Sequence, residues 1–108
     1  MADDDLIYGL ARRHYLGLAA VFSKYVHIDK VMIFGSRAKG TEKPYSDIDL
    51  AVIAPEMGSA EFSRLLDELD ALDLVFKLDV LHFDTLPQPK LRKTIELHGK
   101  QFYPLHET

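Results

Sequence analysis

The sequence predicts a single α/β domain of the α+β kind, built on a small mixed β-sheet. Apolar residues recur alternately at helical and at strand spacing along the whole chain, in the order α-β-α-β-α-β-α. No internal repeat, low-complexity tract or linker breaks this order. The 108 residues are also too few to give two units a core each, so one domain over residues 1–108 is expected.

From about Asp5 to Tyr25, Leu6, Leu10, Leu18, Val21, Phe22 and Tyr25 fall at near-helical spacing, weakened by Gly9 and Gly17, and predict a first helix. Lys30 to Phe34 is a short apolar run that stops at Gly35, as a buried strand entering a tight turn would. Ser36 is placed to cap a short helix from Arg37 to Gly40. Thr41 to Ser46, with Pro44, reads as loop, and Asp47 to Ile53 reads as a second strand stopped by Pro55. Ser59 is placed to cap a further helix on which Phe62, Leu65, Leu66, Leu69 and Leu72 recur at helical intervals. The intervening Glu61, Arg64, Asp67, Glu68 and Asp70 read as its solvated face. Val75 to Phe83 returns to strand character, Pro87 and Pro89 introduce a last helix around Lys90 to His98, and Gln101 to Tyr103 suits a short edge strand.

Composition removes several classes of function. A net charge of -4 gives no electrostatic reason to expect nucleic-acid binding, which is disfavoured. Cysteine is absent, which excludes disulfides and thiolate metal sites and leaves oxygen or imidazole to hold any metal. No apolar run reaches the roughly 20 residues that span a bilayer, and the acidic start lacks the basic opening of a signal peptide, so a cytoplasmic protein is expected.

The chemistry concentrates in three aspartates. Residues two apart on a strand share a face, so Asp47 and Asp49 project together, away from Ile48, Leu50 and Val52. On the third strand Asp79 and Lys77 lie opposite the apolar row Phe76, Leu78 and Val80, and Asp79 joins the pair if the strands are neighbours. Three carboxylates held together repel unless protonated or neutralised, and their hard oxygens suit Mg²⁺ or Mn²⁺, the ions of phosphoryl chemistry. Taken singly, Asp47 would suit a turn and Asp79 the wet side of an amphipathic strand. Gly35-Ser36 follows the first strand where a glycine lets backbone approach a ligand and free N–H groups receive phosphate oxygens. It matches neither the Walker pattern nor the dinucleotide fingerprint.

The combination is specific: Gly35-Ser36, ten residues, Asp47-Ile-Asp49, and an aspartate in a later strand. GSRAKGTEKPYSDIDL, residues 35 to 50, resembles the signature of the DNA polymerase β nucleotidyltransferase superfamily, and the chain's brevity points to its minimal (MNT) branch. The resemblance implies a sheet with helices on one face and the nucleotide on the other. It implies that Gly35 and Ser36 hold the triphosphate, that Asp47 and Asp49 coordinate metal, and that Asp79 completes the metal site and helps activate the acceptor hydroxyl. Arg37, directly after the turn, is the expected further nucleotide-binding cation, with Lys39 and Lys43 solvated. For Lys77, an ion pair with a nearby acid is the favoured reading. His14, His27, His82, His98 and His106 show no ligand spacing and read as structural or surface; Tyr45 suits packing or a nucleobase contact equally.

The chain lacks the extra helical region that presents the acceptor in larger relatives. The resemblance therefore implies an acceptor surface on a separate protein, a small helical HEPN-type toxin, with this chain as an antitoxin that moves AMP from ATP to a tyrosine hydroxyl of that partner. Homo- or hetero-oligomers are compatible with this. The alternatives are a binding module that neutralises its partner by covering it, and a transferase acting on a small hydroxylated compound with the partner forming half the pocket.

Overall fold

A computed structural model describes residues 6–105. Helix α1 spans Arg12–Phe22, strand β1 Lys30–Phe34, helix α2 Ser36–Lys39 and strand β2 Ile48–Ile53. Helix α3 follows at Ser59–Asp70, then strand β3 at Leu78–His82, a single 3-10 turn at Phe83–Thr85, helix α4 at Pro89–His98 and strand β4 at Lys100–Tyr103. The four strands form one sheet in the order β3-β2-β1-β4, with β1 antiparallel to both β2 and β4, and β2 parallel to β3. The mixed sheet and the edge position of the last strand are as the sequence predicts.

Helices α1 and α3 cover one face. Ile48, Leu50 and Val52 from β2, with Val31 and Ile33 from β1, are buried against Leu18 and Phe22 of α1 and Leu65 and Leu69 of α3. The charged side of α3 is not all free surface: Glu61 meets His27 at 2.9 Å, and Glu68 bonds Lys24 at 3.0 Å and the Tyr25 hydroxyl, tying down the chain that leaves α1. The opposite face has a smaller cluster, in which Ala51, Phe83 and Ile95 pack with Met32, Phe34, Ile53 and Leu81. Helix α4 and the 3-10 turn thus lie on that face near the end of β2. They leave its beginning, with Asp49, uncovered.

Helix boundaries differ from expectation where local geometry overrides spacing. The first helix begins at Arg12 and not near Asp5, which lies outside the described residues. Before it, Ile7 and Leu10 pair across a turn in which Tyr8 and Gly9 both have positive φ (53° and 78°). Leu10 is buried all the same, so its apolar spacing reported burial and not helix. Glycines, not serines, precede α2 and α3: the cap residues are Gly35 and Gly58, with Ser36 and Ser59 as first helical residues. The third strand is shorter than the Val75–Phe83 run, and Val75 itself is exposed.

Candidate active site

The open end of the sheet collects the acidic residues through register alone. Asp49 pairs with Phe34 on one side and with Asp79 on the other, so the two aspartates sit side by side on adjacent strands with the same parity. Asp47 immediately precedes β2 and keeps that parity. Asp47 and Asp79 are exposed and Asp49 is half-buried. Burial, then the charges of Asp79 and Asp47, push the Asp49 carboxyl above its ordinary value, with Lys77 pulling the other way. Asp49 therefore feels both of the other acids. Among the described residues, no three acidic or imidazole side chains close round one point as a finished metal cage. The donor set fits a hard divalent cation all the same, being all oxygen and under-neutralised.

Beside them, β1 runs into Gly35 at φ 75° and then into α2. Only glycine fits here for two reasons: the backbone lies in the left-handed region, and a Cβ would collide with the Asp49 carboxylate oxygen Oδ2. The Gly35 turn and the acid are thus in direct contact. Ser36 is half-buried, and its hydroxyl makes no hydrogen bond among the described residues, while its carbonyl accepts from the Thr41 N–H at 3.0 Å. The first N–H groups of α2 have no helical partner, as at any helix start.

Arg37 is built into the fold. It is 2% exposed, and its guanidinium is held by backbone: Nε and Nη2 donate to the Ser46 carbonyl at 3.2 and 2.9 Å, and Nη1 to the Tyr8 carbonyl at 3.0 Å. Its flat face lies over Phe76, 5.1 Å from the ring centre. Burial lowers its pKa from the ordinary value, and Glu42 partly restores it. Arg37 is a latch. It fastens the loop that delivers Asp47, and Ser46 completes it, its Oγ accepting from the Lys43 N–H at 2.7 Å. Sequence reading passed over this pair, although Ser46 directly precedes Asp47.

The remaining residues fall largely as expected. Lys39 and Lys43 are exposed. His82 is buried with Nε2 2.9 Å from the Ala54 carbonyl, and His14 packs edge-on against Phe76; His106 lies outside the described residues. Lys77 departs from expectation, having no ion pair among the described residues. Tyr45 is exposed, its ring 6.4 Å from Phe76. A groove of about 440 Å³, lined by Arg13, His14, Lys43, Pro44 and Phe76 among others, runs alongside the loop.

The family model for polymerase beta nucleotidyltransferases matches residues 17–108. The chain belongs to that family. A protein of Haemophilus influenzae, provisionally named protein adenylyltransferase MntA, is 41% identical over 56 residues, covering 51% of this chain and 49% of that protein. A protein of Methanocaldococcus jannaschii, also provisionally named a protein adenylyltransferase, is 30% identical over 71 residues, covering 64% of this chain and 71% of that protein. The match thus spans about half the length of the first relative. Among solved structures, a toxin–antitoxin complex with AMP-PNP superposes with a TM-score of 0.64 at 24% identity, over 82% of this chain and 72% of that one. At that identity the likeness shows a shared fold alone, and the nucleotidyltransferase assignment rests on the family match.

Proposed function

We propose that this nucleotidyltransferase is a metal-dependent protein adenylyltransferase that moves AMP from ATP to a hydroxyl, that of a tyrosine, on a helical HEPN-type partner toxin, and so acts as an antitoxin in the cytoplasm. The observation that carries the reading is the side-by-side placement of Asp49 and Asp79, with Asp47 beside them, at the foot of the Gly35-Ser36 turn. The names of the two relatives and the toxin–antitoxin neighbour support the acceptor class. No helix among the described residues is long and apolar enough to cross a membrane.

In this reading the Gly35-Ser36 backbone and the Ser36 hydroxyl receive the phosphates, and Asp47, Asp49 and Asp79 hold Mg²⁺ or Mn²⁺. The metal supplies charge neutralisation for the attacking and leaving oxygens. Asp79, exposed at the sheet edge, takes the acceptor proton. The acceptor oxygen then bonds to the α-phosphorus, the bond from that phosphorus to the bridging oxygen breaks, and pyrophosphate leaves. Arg37 touches none of these atoms; it holds the loop that sets Asp47.

Calorimetric titration with ATP and Mg²⁺ tests the site. Replacing both Asp47→Asn and Asp49→Asn is expected to abolish measurable binding, since the carboxylates that neutralise the metal–triphosphate complex are gone. Binding unchanged in that double variant would refute the site.

A further inference from the structure

The open face carries a cation that the mechanism above does not use. The Ile48 N–H donates to the Lys77 carbonyl at 2.9 Å, and Leu78 is level with Ile48, so Lys77 stands one step along the sheet, level with Asp47. Lys77 and Asp79 are two residues apart and share a side. Lys77 is exposed, and among the described residues its ammonium lies within ion-pairing distance of no carboxylate. Its charge nevertheless reaches Asp49, opposing the push of Asp79 and Asp47. It is therefore a loose counter-ion, near enough to be felt and not locked to one partner.

We propose that Lys77 acts as the resident counter-ion of the three carboxylates, lowering their affinity for free divalent metal and favouring the metal that arrives already bound to nucleotide. The inference rests on the reading of Asp47, Asp49 and Asp79 as metal ligands. Its logic is one of sign. A free divalent cation approaching the acids is repelled by the ammonium, whereas a metal–triphosphate complex carries net negative charge and is attracted by it. Lys77 makes empty acids tolerable until the nucleotide comes. A lysine on an edge strand such as β3 can also serve merely to discourage pairing with another strand. That role makes no demand on metal binding, so the two explanations separate in one measurement.

The full chain is titrated with Mn²⁺ alone, followed by electron paramagnetic resonance of the free ion, and separately with the Mn²⁺–ATP complex. Lys77→Met is expected to bind free Mn²⁺ about three- to tenfold more tightly than the unaltered chain, the scale of one partly screened unit charge at several ångströms, and to bind Mn²⁺–ATP more weakly by a similar factor. Lys77→Arg should behave like the unaltered chain, and high salt should shrink both effects. The position is exposed, so circular dichroism should show Lys77→Met folded. Free Mn²⁺ bound no more tightly by Lys77→Met, or both constants moving in the same direction, overturns the inference. The Asp47→Asn, Asp49→Asn chain separates the layers: if it binds Mn²⁺ as well as the unaltered protein, the metal-ligand reading falls and this inference with it. If those acids matter and Lys77→Met changes nothing, only this inference falls.

Discussion

Asp49 carries its charge at a cost to the fold. Burial and two neighbouring acids raise its carboxyl above the ordinary carboxylate value, so the folded chain holds that proton more tightly than the unfolded chain does. The sign follows directly: stability is greatest below the ordinary carboxylate range and is lost as pH rises through the raised value. In chelator at pH 7.5, Asp49→Asn is therefore expected to melt about 2–4 °C higher than the unaltered chain, the shift a fraction of a kcal/mol gives in a domain of this size. The gap should close as pH falls toward the ordinary carboxylate range, and Mg²⁺–ATP should reverse it by stabilising only the chain that binds it. Thermal melts across that series check it, and an Asn variant no more stable at pH 7.5 contradicts it. The acid pattern was readable from parity alone, since strand period fixes which side chains share a face. The contacts of Arg37 were not readable, because sequence shows adjacency to the Gly35-Ser36 turn but not which carbonyls lie within reach of a long side chain, here those of Ser46 and Tyr8.

The loop between α2 and β2 is where an element, and no single residue, sets the site. Arg37 holds it from one end through the Ser46 carbonyl, and the stacked Phe76 keeps the guanidinium dry. Arg37→Met leaves that carbonyl and the Tyr8 carbonyl without their donor, which should cost about 2–3 kcal/mol, the range for hydrogen bonds to a charged group. Arg37→Lys should recover little, because a point charge cannot span two acceptors as the planar fork does. Chemical denaturation gives the stability, and hydrogen exchange should show faster opening of residues 41–47 in both variants. An Arg37→Met chain of unaltered stability that loses only nucleotide binding would return Arg37 to the phosphates. Strand positions were legible because β1 and β2 are short apolar runs closed by Gly35 and Pro55. Helix starts were less so: the turn at Tyr8 and Gly9 depends on positive φ, which leaves no trace in apolar spacing.

At the scale of the molecule, the carboxylates lie on an open face of the sheet. Helices α1 and α3 occupy the far side of the sheet and α4 stops short of Asp49, so the approach to Asp79 is clear. Leu6, Leu16 and Tyr45 are large apolar side chains left exposed around α1 and the loop that precedes Asp47, suited to contact with a second protein. Whether the proposed partner would be silenced by covering or by modification turns on Asp79. Its side chain faces away from the apolar row, so Asp79→Asn should leave folding and partner capture intact. In the proposed function its carboxylate acts on the acceptor proton mainly in the transition state, so triphosphate binding should change much less than turnover. Transfer of AMP to the partner should fall by about a hundredfold or more, the usual scale for losing a general base. Three readouts on this one variant resolve the matter: capture by co-purification, AMP transfer by intact mass of the partner, and the partner's residual toxicity. Transfer at the unaltered rate would make Asp79 ordinary surface. Toxicity that returns while capture persists means modification is the antidote, and toxicity still suppressed without transfer means that covering alone is enough.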